Sequence, residues 1–247
     1  MILGVPLWAL AVIALALLVG TAVQGLVGLG LGLVGAPIAT LVAPELMPGL
    51  LLSTAVLLPL LQLATHREEI DWRGLAWALP ARIPGTVVGV WLVAIFTDRQ
   101  LAVAVGVMVL VAVLLTWHTV TVPITPGTLV GAGVISGVTS TATSIGGPPI
   151  AILYQHRSPV QVRSTLAVYF VLGAVFSLVG LGVSGQLEAR EVWLAALFVP
   201  FLLAGLWLAR RWAAGSRPRA SAPRCSWSAP PRRRRCSCAA WRGDGVG

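Results

Sequence analysis

From Ile2 to Pro44 the chain carries no ionisable residue, a run of 43 positions. In lipid, unpaired backbone polar groups are costly, so an uncharged stretch of this length folds as spanning helix, each crossing taking about 20 residues. This run is too long for one straight crossing. It reads as a helix over about 3–23 followed by a Gly-rich segment, 25–43, that crosses again or dips in and returns. Charges then punctuate the chain: 46–65 is closed by His66-Arg67-Glu68-Glu69-Ile70-Asp71-Trp72-Arg73, and 74–96 holds one internal charge, Arg82. The segment 101–117 is apolar, 119–155 is again uncharged and again too long, and 164–184 and 192–209 complete the set. Seven clear segments and two irregular ones predict an all-α polytopic integral membrane protein with about 7–8 transmembrane helices. Only 10% of the residues are charged, against roughly a quarter in soluble domains, which excludes a globular enzyme with a wetted surface.

The formal net charge of +9 looks like a nucleic-acid signal until it is mapped. Residues 1–209 hold seven Arg and seven acids, while 210–247 hold ten Arg and one acid, Asp244. The basic character therefore belongs to a tail. Cys225, Cys236 and Cys238 also lie there, too sparse for a zinc site. The Arg232–Arg235 block lacks the aromatic interleaving of a nucleic-acid surface, so no nucleic-acid partner is expected. The N-terminal run lacks a basic leader and a cleavage site, so it reads as a retained helix. Loop Arg residues fall on both sides of any alternating topology; the 66–73 loop is assigned to the cytoplasm.

The two irregular stretches match each other. Gly35-Ala36-Pro37-Ile38-Ala39 aligns with Gly147-Pro148-Pro149-Ile150-Ala151 at a spacing of 112, Gly25 meets Gly137, and Ser53-Thr54 sits near Ser164-Thr165. Two homologous halves are expected, 1–118 and 119–209, with 210–247 as a low-complexity tail. Paired Gly/Pro-broken segments in corresponding places point to a secondary transporter whose substrate site lies between the halves. A broken helix presents freed amides and a positive dipole end at membrane depth.

Several stretches together resemble the sulfite exporter TauE/SafE family. They are Gln24-Gly25-Leu26-Val27-Gly28-Leu29-Gly30-Leu31-Gly32 running into Gly35-Ala36-Pro37, the loop ending Ile70-Asp71-Trp72-Arg73, Gly85-Thr86-Val87-Val88-Gly89, Gly137 through Gly146-Gly147-Pro148-Pro149, and Val162-Arg163-Ser164-Thr165. The resemblance covers about 5–209. It implies about eight spans, a pseudo-repeat, and movement of sulfite, organosulfonates or related sulfur anions across the cytoplasmic membrane. It also implies one more span after Ala209, where this chain turns to Arg, Pro, Ser and Cys. Residues from about 216 onward are expected to be translated out of frame; a basic tail drawn to anionic lipid is the alternative.

Gly30-Leu31-Gly32-Leu33-Val34-Gly35 matches a dinucleotide-binding pattern but lacks the strand–helix context and the following acid, so no cofactor is expected. Two readings of these glycines stand together: close helix packing, with Gly28/Gly32, Gly85/Gly89 and Gly133/Gly137 spaced for it, and a broken helix facing an anion. The candidate substrate residues are Gln24, Gly28, Gly30, Gly32, Gly35 and Pro37 in the first stretch. Ser140, Thr141, Thr143, Ser144, Gly146, Gly147 and Pro148 are those of the second, with Arg82 and Arg163 as flanking cations. Hydroxyls donate without fixed charge, which suits an anion that must be released, although lone ones often bond their own i−4 carbonyl. Arg82 either snorkels to the headgroups or sits beside an anion path; Arg163 either anchors a loop or guides an anion. His66, Glu68, Glu69 and Asp71 read as a solvated boundary, His118 as an interfacial anchor and His156 as a loop residue. No metal is expected. The partners are a small anion and the bilayer, with homo-oligomerisation open. The alternatives are an intramembrane enzyme, which would need a nucleophile–base pair or metal cluster absent from the clear segments, and a non-transporting assembly partner.

Overall fold

The structure, a computed structural model, describes residues 5–65, 69–117 and 122–215. Expectations for His66, Arg67, Glu68, His118 and the tail 216–247 fall outside these residues. The described chain is helical: α1 Leu7–Val27, α2 Leu31–Val42, a 3-10 turn at Pro44–Leu46, α3 Gly49–Thr65, α4 Trp72–Ile95, α5 Asp98–Trp117, α6 Pro126–Thr143, α7 Gly147–Tyr154, α8 Pro159–Val183 and α9 Ala189–Gly215. Four of them, α1, α4, α8 and α9, are each long and apolar enough to cross a membrane. The apolar α2 and α3 are shorter.

The first long uncharged run is two antiparallel pieces, the 21-residue α1 and the 12-residue α2. α1 ends on Gly28, whose φ of 96° is the left-handed conformation that glycine adopts without strain, and whose N–H donates to the Gln24 carbonyl. α2 then runs back along α1, with Gly20 against Leu31 and Gly35 against Leu17. The second run breaks in the same way. α6 ends on Ser144, also left-handed at φ 59°, with its N–H donating to the Ser140 carbonyl, and α7 folds back. These breaks lie 116 residues apart, one helical turn more than the spacing of 112 read from the Gly/Pro matches, because the caps and not the prolines occupy equivalent places.

Helix contacts recur as well. α6 packs on α4 as α1 packs on α9; α8 packs on α4 as α3 packs on α9; and α3 and α8 pack on each other. The contacts match at the level of residues. Gly85 on α4 abuts Val134 on α6 where Gly205 on α9 abuts Leu18 on α1; Gly89 meets Thr141 where Ala209 meets Gly25. α5, which leans on α2 and α6, has no counterpart among the described residues.

The two ends of the bundle differ. At the α3–α4 end, Tyr154 donates to Asp71 (2.9 Å), the Asp71 N–H donates to Thr165 (3.1 Å), and Gly28 lies beside Arg163. Asp71 is thus a half-buried tie among α4, α7 and α8, and caps α4 through the Gly74 N–H, more than the solvated boundary expected of it. Glu69 accepts from Ser158 there. At the α4–α5 end, Val93, Leu101, Leu181 and Leu52 form an apolar cluster, and Glu191 is buried against Gly49, accepting from the Glu188 N–H. This acid lies one residue before the segment expected as 192–209.

Small residues set the closest helix approach, at α4 and α6, as they do in lipid where apolar burial alone gives little drive. A Cβ on Gly133 would lie 2.5 Å from the Ala78 carbonyl oxygen, whereas one on Gly131 would meet nothing within 4 Å. Gly133→Ala should therefore lower the thermal midpoint in detergent, costing about 1–3 kcal/mol through overpacking. Gly131→Ala should be neutral or gain up to about 1 kcal/mol of helix propensity. Equal midpoints for the two variants would contradict this packing.

Candidate functional site

The two breaks meet inside the bundle. A Cβ on Gly32, in the first turn of α2, would fall 2.5 Å from the Ser144 carbonyl oxygen at the end of α6, and one on Gly147 would strike Leu29. Ser144 Oγ donates to the Pro48 carbonyl (3.2 Å), tying the second break to the start of α3. Between the breaks lies a cavity of about 60 Å³, room for a few waters or one small oxyanion.

Nine of the expected residues line it: Gln24, Gly30, Gly32, Arg82, Ser140, Ser144, Gly146, Gly147 and Pro148. Arg82 decides its chemistry. It is 2% exposed, so it does not snorkel to the headgroups. Its position on α4 brings it between α6 and α8. Nη2 donates to Ser140 Oγ, and Cζ lies 4.8 Å from the centre of the Tyr169 ring. Nε and Nη1 have no hydrogen-bond partner. They lie against Gly173, where any side chain would collide with the guanidinium. No acid is on the cavity wall among the described residues. A buried cation with unpartnered donors and no counter-ion among the described residues is expensive unless an anion joins it.

The donors from the two breaks are unequal. A helix start leaves its first amides without intrahelical partners. At α2 the Leu31 N–H is taken by Gln24 Oε1 (3.0 Å), which leaves the amides of Gly32 and Leu33. At α7 the next two positions are Pro148 and Pro149, which carry no N–H, so Gly147 alone of the first three helical positions has an amide. Gln24 is thus first a cap for α2, and the donors are amides on one side and guanidinium plus hydroxyl on the other.

The remaining expected residues lie elsewhere. Gly28 is the cap of α1, and Gly35 packs against Leu51 and Leu17. Pro37 is inside α2. Thr141 bonds the Gly137 carbonyl and Ser177, and Thr143 bonds the Thr139 carbonyl, the self-satisfied arrangement hydroxyls often take in such helices. Arg163 donates to the Leu26 carbonyl at the end of α1, outside this cavity. The apolar walls, Leu52, Ala55, Pro59, Phe170 and Ala174, and Tyr169 beneath the guanidinium, went unread in the sequence. They are ordinary apolar residues of spanning segments, and nothing in their spacing sets them apart.

With four membrane-length helices among the described residues and a buried cation in a cavity between two broken segments, this is a multi-pass membrane protein. The chain belongs to the Sulfite exporter TauE/SafE family, a transporter family, whose profile matches residues 12–222. It is similar to a protein of Cupriavidus necator named "Probable sulfite/organosulfonate exporter TauE", with 27% identity over 212 residues, covering 78% of this chain and 79% of that one. No solved structure matches the chain.

Proposed function

We propose that the chain is a secondary carrier exporting a small sulfur oxyanion, sulfite or an organosulfonate, across the cytoplasmic membrane, with the anion held beside Arg82 between the two breaks. The observation that carries this is the buried guanidinium, with Nε and Nη1 unpartnered and no acid on the cavity wall among the described residues. Ser140 and the Gly32 and Leu33 amides add neutral donors, so the anion is held by one charge and released without breaking a multi-charge clamp.

The recurrence of helix contacts supports two halves, α1–α5 and α6–α9. An odd number of elements in the first half starts the second from the opposite end of the bundle, an inverted arrangement in which rocking of one half against the other exposes a central site alternately. The α3–α4 end carries Arg73, Arg157, Arg163, Arg210 and Arg211 with Glu69 and Asp71. The α4–α5 end carries Arg99 and Arg190 with Glu45, Asp98, Glu188 and Glu191. Positive charge favours the cytoplasm, which supports the orientation expected for the 66–73 loop.

Sulfite flux into proteoliposomes holding this chain, against protein-free liposomes and with a panel of sulfonates as competitors, tests the reading. Saturable flux inhibited by sulfonates is expected. Flux no greater than in bare lipid for every anion would withdraw it.

A further inference from the structure

A second cavity of about 60 Å³ opens at the α3–α4 end, lined by Gly25, Gln62, Arg163, Ser164, Leu206 and Arg210 among others. Two guanidiniums from different helices share it, and no carboxylate lies on its wall among the described residues. Neither forms a salt bridge among the described residues. Ser164 is 1% exposed, and its Oγ has no hydrogen-bond partner. A pair of hydrogen-bonded glutamines lies between this cavity and the central one. Gln62, on its wall, donates to the carbonyl of Gln24 (3.5 Å), whose residue lines the central cavity.

The corresponding place at the opposite end is built differently. Ser164-Thr165 recurs as Ser53-Thr54, so the counterpart of Arg163 is Leu52. The matched contacts of α9 and α4 make Val90 the counterpart of Arg210. Leu52 and Val90 both belong to the apolar cluster at the α4–α5 end. Where one end is plugged by aliphatic side chains, the other presents two cations and a free hydroxyl around a space.

We propose that this second cavity is an outer oxyanion site, in which Arg163, Arg210 and Ser164 hold an oxyanion at the α3–α4 end. A free sulfur oxyanion and the phosphate of an anionic lipid offer it the same chemistry. Two guanidiniums bind such a group strongly through charge-assisted hydrogen bonds, and the unpartnered hydroxyl adds a third donor. Its use as a loading site, from which the anion passes Gln62 and Gln24 to Arg82, rests on the carrier reading; the binding itself does not.

Equilibrium binding of radiolabelled sulfite to the full chain in phosphatidylcholine nanodiscs tests it. Arg163 also bonds the end of α1, so the informative variants are Arg210→Gln and Ser164→Ala, combined. The parent protein is expected to bind a central and an outer sulfite. Arg82→Gln should keep the outer one alone, and the combined variant should weaken the outer one by about tenfold or more while keeping the central one. With Arg82→Gln protein, phosphatidylglycerol in the nanodisc should compete with that sulfite if lipid phosphate shares the cradle; unchanged binding would assign it to the free anion. Arg82→Gln protein that binds neither sulfite nor phosphatidylglycerol, or a combined variant with both sulfites undiminished, would overturn the outer site. Sulfite lost in the combined variant but untouched by Arg82→Gln would instead overturn the central site and leave the outer one standing.

Discussion

Arg82→Met is expected to abolish sulfite flux while leaving the protein as stable as the parent or more so. The two effects have one cause. The guanidinium is buried with Nε and Nη1 unpartnered, so the fold bears a desolvation cost that no acid on the cavity wall offsets. Replacing such a charge by an apolar side chain of similar length is commonly neutral or stabilising by about 1–4 kcal/mol. Removing the charge that faces a desolvated anion costs about 2–5 kcal/mol of its binding, roughly thirtyfold to several thousandfold. Arg82→Lys should fall between, because an ammonium keeps the charge but not the planar fork that donates to Ser140. Flux from sulfite-loaded proteoliposomes and thermal unfolding in detergent read the two effects separately. Parent-level flux in Arg82→Met would remove Arg82 from the anion path, and a fall in stability of several degrees would make it a structural residue.

Gly32→Val and Gly147→Val are both expected to abolish flux with the protein still inserted, and the milder alanine variants should separate them. At Gly32 the obstacle is backbone: the Ser144 carbonyl oxygen stands 2.5 Å from the new Cβ, at the end of a helix that cannot move alone. At Gly147 it is the side chain of Leu29, with Phe170 at 3.3 Å, and Leu29 can change rotamer. Gly32→Ala should therefore push the two breaks apart, costing about 1–3 kcal/mol and most of the flux, while Gly147→Ala should keep a substantial part of it. Initial rates at saturating sulfite check the order. Gly147→Ala faring worse than Gly32→Ala would mean that the contact between the breaks does not set the site.

The helices and their ends were legible because charge is so scarce: each charged cluster marks where a segment leaves the membrane, and α4, α5 and α8 begin or end close to those marks. The breaks at Gly28 and near Gly146 were legible from glycine and proline density. Their register was not. The Pro37/Pro149 match suggested 112, yet the left-handed residues at Gly28 and Ser144 fix 116, and a serine in that conformation leaves no compositional trace. The donors of the central cavity were read as freed amides in the first stretch and as hydroxyls and amides in the second. The prolines after Gly147, visible all along, should have removed amides from the second. Arg82 could be placed within a span by counting, but its burial depends on Gly173 and Tyr169, residues more than 80 positions away that only tertiary packing brings to it. Glu191 was missed because a span drawn to exclude charges ends where the charge begins.

A carrier holds its anion in a site exposed to one end at a time, whereas a pore conducts it. Counterflow tells the two apart directly. Proteoliposomes loaded with unlabelled sulfite and diluted into a trace of radiolabelled sulfite should accumulate label transiently above its equilibrium level, because each outward passage returns the site to face the label. Arg82→Gln protein should show none of this overshoot. Label that merely equilibrates in the parent protein, at a rate indifferent to the sulfite inside, would contradict alternating access and leave a pore in its place.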